Sequence, residues 1–105
     1  MRLLLTTLMF VSSVAFAQDA KLNAKAAEAL SETYACNECH QLDMKVVGPS
    51  LKEIAARYKT DKDAPTKLVE KIKKGGSGAW GQVPMPPNNL KDEDLKTLVA
   101  WILSL

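Results

Sequence analysis

Residues 36–40 read Cys36-Asn37-Glu38-Cys39-His40, a C-x-x-C-H run that uses both cysteines and the only histidine of the 105-residue chain. All the strong soft and imidazole donors are therefore committed to one five-residue stretch. A zinc site built there would have two cysteines and one histidine, with no obvious fourth ligand. A thioredoxin-like redox pair would need strands around it, and the chain shows no strand pattern. A structural disulfide over three positions would leave the rest of the sequence unexplained.

The spacing has a direct chemical use. Two thiols three positions apart can each add to one vinyl group along an edge of a haem, and the adjacent imidazole is then placed beneath the iron. The motif thus predicts one covalent haem c held by Cys36 and Cys39, with His40 as a metal ligand. Such attachment needs reduced thiols and, in bacteria, takes place outside the cytoplasm.

The N-terminus agrees with export. Arg2 precedes a mostly apolar run from Leu3 to Phe16, and Ala15-Phe16-Ala17 has the small-x-small pattern of a cleavage site. The run is shorter than the ~20 residues of a membrane span and is interrupted by Thr6, Thr7, Ser12 and Ser13. Residues 1–17 are read as a cleaved signal peptide and residues 18–105 as one domain in the periplasm, with no membrane insertion of the mature chain.

Taking 17 residues from 105 leaves 88, with 13 basic and 12 acidic groups because Arg2 leaves too. That balance gives no support for nucleic-acid binding. Both phenylalanines, Phe10 and Phe16, depart with the leader, so Tyr34, Tyr58, Trp80 and Trp101 are the remaining aromatics. So thin a core needs a staple, metal or cofactor in its middle.

Four stretches have helical spacing. The first spans about Ala20 to Glu38, with Leu22, Ala26, Ala29, Leu30 and Tyr34 as its apolar face. The second follows Gly48-Pro49, with Ser50 and Glu53 forming a capping box and Leu51, Ile54, Ala55 and Tyr58 on one face. The third starts near Pro65, carries Leu68, Val69 and Ile72, and stops at Gly75-Gly76. The fourth runs from about Asp92 to Leu105, with Leu95, Leu98, Val99 and Ile102 inward; Lys91 ahead of it is a poor cap. The fold class is all-α, four helices around one haem.

Between the last two helices lie about fifteen residues, Gly75 to Asn89, without regular structure. A loop that long in so small a domain is usually functional. It carries Met85 between Pro84 and Pro86, which limit the ways the side chain can swing. Met44, four residues from His40, reaches at most ~14 Å and would have to round the macrocycle, so it is rejected as a ligand. Met85 is expected as the second metal ligand, with lysine as the residual alternative. A thioether favours Fe(II), and two strong axial ligands leave no open site. That points to electron transfer rather than catalysis, so the chain is read as no enzyme.

Three neighbours have two readings each. Trp80 is a core aromatic or an N–H donor to a haem propionate. Pro49 is a helix start or the carbonyl acceptor that fixes His40. Asn88 is a turn residue or an amide donor to the Met85 sulfur. The lysines read mostly as solvated faces; Lys71, Lys73 and Lys74 are also candidates to offset propionate charge or steer an acidic partner. Arg57 has no role in this reading. Val46, Val47 and Pro86-Pro87 form a candidate apolar docking patch with lysines at its rim.

Cys36 to His40, Val47-Gly48-Pro49-Ser50-Leu51, Lys73-Lys74-Gly75, Gly78-Ala79-Trp80-Gly81 and Pro84-Met85-Pro86-Pro87-Asn88 together resemble a class I c-type cytochrome of the small cytochrome c-551 (cytochrome c8) group of proteobacteria. The resemblance covers nearly all 88 residues. It implies His40 and Met85 as axial ligands, Pro49 as the acceptor for His40, Trp80 as a propionate donor and Asn88 beside the sulfur. It also implies a periplasmic carrier of single electrons from a quinol-oxidising cytochrome complex to a nitrite reductase, terminal oxidase or peroxidase, expected here as a monomer. Two positions depart from the group: Lys71 stands where an arginine often reaches a propionate, and Lys91 where a serine usually caps the last helix. A haem sensor in which Met85 leaves the iron, and a thiol oxidoreductase, are the other classes considered.

Overall fold

A computed structural model describes the backbone of residues 14–105 and side chains from Asn23 onward. It contains four helices: α1 (Val14–Thr33), α2 (Leu51–Tyr58), α3 (Ala64–Lys74) and α4 (Asp92–Ser104), with a 3-10 turn over Cys36–Glu38. No strand occurs among the described residues, only two isolated bridges. The all-α expectation holds. Residues 1–13 of the expected leader lie outside the described residues.

Helix α1 differs most from the sequence reading. Among the described residues it is already helical from Val14, ahead of the expected Ala20, and no glycine or proline interrupts residues 14–19. It ends at Thr33 rather than Glu38, since Ala35 takes φ 55° and turns the chain into the 3-10 segment. Its inward face is also different. Ala27 and Ser31 are buried while Ala26 and Ala29 are exposed. Alanines on every side carry little directional signal, and packing on α4 decides which of them is covered.

The other helices follow local chemistry. At α2 the Glu53 N–H donates to Ser50 Oγ at 3.1 Å, and the Ser50 N–H donates to the Glu53 carboxylate at 3.4 Å. That capping box contributes ~1 kcal/mol. Helix α3 carries Pro65 in its first turn and three lysines in its last. Helix α4 begins after Lys91, whose side chain makes no cap bond.

Helix α4 packs against each of the other three. Leu95, Leu98, Val99 and Ile102 of α4 meet Ile54 of α2, Leu68 and Ile72 of α3, and Ala27 of α1 in one cluster. The cluster holds no fully buried aromatic; Tyr34, Tyr58 and Trp101 only flank it. Its inner edge opens into a cavity between α2, α3, α4 and the 75–89 loop.

Candidate haem site

The C-x-x-C-H motif folds as a tight turn. The Cys39 and His40 N–H groups both donate to the Cys36 carbonyl, at 3.2 and 2.8 Å. Ala35, in the left-handed region, sets the chain into this turn. Cys36, Cys39 and His40 are half-buried, the two cysteines are not joined as a disulfide, and all three residues line the cavity. Burial pushes the Cys36 thiol up from its ordinary value. A dithiol redox enzyme needs the opposite, a nucleophile with a depressed pKa.

His40 is held from two sides. Its Nδ1 lies 2.7 Å from the Pro49 carbonyl. A carbonyl only accepts, so Nδ1 carries the proton and Nε2 is left as the electron-pair donor. Gly48 lies against the ring: a Cβ there would sit 2.5 Å from Cε1. The Gly48 N–H donates to the Cys39 carbonyl at 2.9 Å, and Leu51 N–H to Gln41 at 2.9 Å, which closes the 41–50 loop under the histidine. Pro49 thus takes both of its expected places, ahead of α2 and as the His40 acceptor.

Met85 lines the same cavity from the other chain segment. Its N–H donates to the Gly76 carbonyl and the Gly76 N–H donates back, each at 2.9 Å. The loop expected to lack regular structure is therefore pinned at its neck. Gly75 makes that closure fit. It has φ 65° and ψ −151°, a region essentially reserved for glycine. A Cβ there would also stand 2.2 Å from the Met85 carbonyl oxygen. Met44 is 60% exposed, away from the cavity, in line with its rejection.

The remaining candidates are spread over the rim. Trp80 lines the cavity and is 39% exposed. Asn88 lies outside the cavity lining; its Nδ2 donates to the Pro86 carbonyl at 3.2 Å and its backbone N–H to Ile72 at 2.9 Å. One of its two amide hydrogens is thereby engaged away from the Met85 sulfur. Lys71 lines the cavity close to Gly76. The sequence reading missed Gly48 and Gly75 as contact surfaces, and it missed Arg57, which reaches the loop from α2.

The cavity measures about 340 Å³. Aliphatic side chains from Ile54, Ile72, Leu98 and Ile102 form its floor. Its donors are two thiols, one imidazole and one thioether, a set suited to a haem bonded at its edge and ligated on both faces. Gly48 lets the His40 ring, and Gly75 the backbone of residues 85–87, pack close beside the cavity. These residues fit the group.

A cytochrome c family model matches residues 24–105. The chain belongs to the cytochrome c family. Cytochrome c-552 of Nitrosomonas europaea is 53% identical over 94 residues, covering 86% of this chain and 91% of that protein. Cytochrome c-551 of Azotobacter vinelandii is 48% identical over 77 residues, covering 73% of this cytochrome and 94% of its relative. The crystal structure of wild-type Nitrosomonas europaea cytochrome c552 superposes with a TM-score of 0.70 at 54% identity, over 73% of this chain and 96% of that one. A class 1 cytochrome of Sideroxydans lithotrophicus is similar at 33% identity with a TM-score of 0.68, over 76% and 92%. This cytochrome is a haem c electron carrier, with one haem bound covalently through its two cysteines, Cys36 and Cys39.

Proposed function

We propose that this cytochrome is a periplasmic one-electron shuttle, exported by a signal peptide over residues 1–17, with His40 and Met85 as axial ligands. The observation that carries this reading is a pair of donors from two separate chain segments, each independently anchored, lining one cavity. When bound, the haem supplies the one-electron Fe(III)/Fe(II) couple.

The chain's own residues do the rest. Pro49 keeps the proton on Nδ1 of His40 and fixes the plane of its ring. The reciprocal Gly76–Met85 bonds and the flanking prolines hold the Met85 backbone in place, which limits where its thioether can go. With His40 and Met85 both holding the iron, no position would be left for substrate, which would separate a carrier from a sensor or enzyme. Ile54, Ile72, Leu98 and Ile102 keep water from the interior, and low polarity together with a thioether favours the reduced state. Trp80 is assigned as a propionate donor and Asn88, through its second amide hydrogen, as a donor to the Met85 sulfur.

Val46 and Val47 are 46% and 50% exposed, and Pro86 and Pro87 are exposed as well. We assign them to a small apolar docking patch for redox partners, a quinol-oxidising cytochrome complex on one side and a terminal reductase, oxidase or peroxidase on the other. Carriers of this kind dock weakly and quickly, with salt-dependent rates. Among the described residues no helix is long and apolar enough to cross a membrane.

Met85→Ala tests the ligand set. The variant is expected to lose the low-spin, sulfur-ligated signature of the oxidised protein and to drop in reduction potential. A wild-type spectrum from Met85→Ala would remove Met85 from the iron.

A further inference from the structure

The 75–89 loop carries Met85, and its outer part, residues 76–84, lines the cavity. Gly75, Gly76, Gly78 and Gly81 all have positive φ, so the backbone gains much freedom whenever the loop opens. The Gly76–Met85 pair closes the neck, and the Gly78 N–H donates to the Gly81 carbonyl at 2.7 Å within the tip. Neither bond ties the tip to a helix.

One side chain does. Arg57, in the last turn of α2, places its guanidinium 4.5 Å from the centre of the Trp80 ring. Its Nη1 donates to the Ala79 carbonyl at 2.5 Å. Among the described residues, it is the only side chain of a helix hydrogen-bonded to the tip. The same guanidinium lies 5.9 Å from the centre of the Tyr58 ring, so its charge is within reach of an aromatic face on each element. A planar, permanently charged group that stacks and donates at once is what arginine supplies and lysine does not.

We propose that Arg57 is a positioning residue, clamping the Trp80 segment onto α2 so that the loop stays closed and Met85 stays in the cavity. What Met85 does there rests on the ligand reading above; the clamp itself does not. The stack and the bond lie on α2's exposed side, so their loss opens the loop without removing anything from the core.

Hydrogen exchange on the haem-loaded protein tests the clamp directly. In Arg57→Ala, the Gly76, Gly78 and Met85 amides are expected to exchange about tenfold faster, the order of one exposed cation–π contact plus one charge-assisted bond. The core amides of Leu95 and Val99 should keep their wild-type rates. Arg57→Lys, which keeps the charge without the planar face, should recover less than half of the effect. Cyanide binding to the oxidised protein provides the second readout, and it should accelerate in step with loop exchange. Loop amides within twofold of wild type in Arg57→Ala overturn the clamp. So does an equal acceleration at Leu95 and Val99, which would make Arg57 a contributor to global stability, and so does full recovery by lysine. Faster loop exchange with unchanged cyanide binding leaves the clamp standing and removes Met85 as the ligand.

Discussion

His40 is useful because of what surrounds it. The Pro49 carbonyl decides which nitrogen carries the proton, and Gly48 leaves room for the ring to lie flat against the backbone. A methyl at residue 48 would press on Cε1 from 2.5 Å, and the ring would have to swing away from its 2.7 Å bond to Pro49. Gly48→Ala is expected to destabilise the holoprotein by about 1–3 kcal/mol, the usual cost of overpacking, and to shift its potential. Denaturant unfolding and a redox titration read the two effects; wild-type values in both would show that the ring tolerates the methyl. The candidate site residues were legible because Cys36, Cys39, His40 and Met85 are rare types with a known use at that spacing. Gly48 and Arg57 were not. Their roles depend on atoms brought close by folding, such as Ala79 and Trp80, which lie 22 and 23 positions beyond Arg57.

At the scale of elements, legibility followed how local the signal was. The Ser50–Glu53 box marked the start of α2, and Gly75 marked the end of α3. The end of α1 was hidden, because an alanine at φ 55° leaves no mark in the sequence. Helix α4 still starts on a residue that cannot cap it. Lys91 has the extended backbone of an N-cap, φ −62° and ψ 149°, without a side-chain acceptor. The Lys73–Asp92 ion pair at 3.2 Å beside it is exposed at both partners and adds little. Lys91→Ser is therefore expected to stabilise the protein by about 0.5–2 kcal/mol through a new bond to the first turn. Thermal unfolding of the holoprotein checks this, and an unchanged or lower midpoint would contradict it.

For the molecule as a whole, the helices leave their middle to the cofactor. Among the described residues, ten buried apolar side chains, all aliphatic, form the core cluster, and its inner edge is the wall of the haem cavity. A short loop beneath His40 and a glycine-rich loop that carries Met85 both line that cavity. The thin core read from the composition and the long loop read as functional are thus two aspects of one design. The central claim is that both axial positions are filled by the chain itself. Carbon monoxide added to the reduced holoprotein at neutral pH tests it most directly. The account predicts an unchanged optical spectrum, whereas rapid appearance of a carbonyl complex would show an open or freely vacated iron position and contradict the carrier reading.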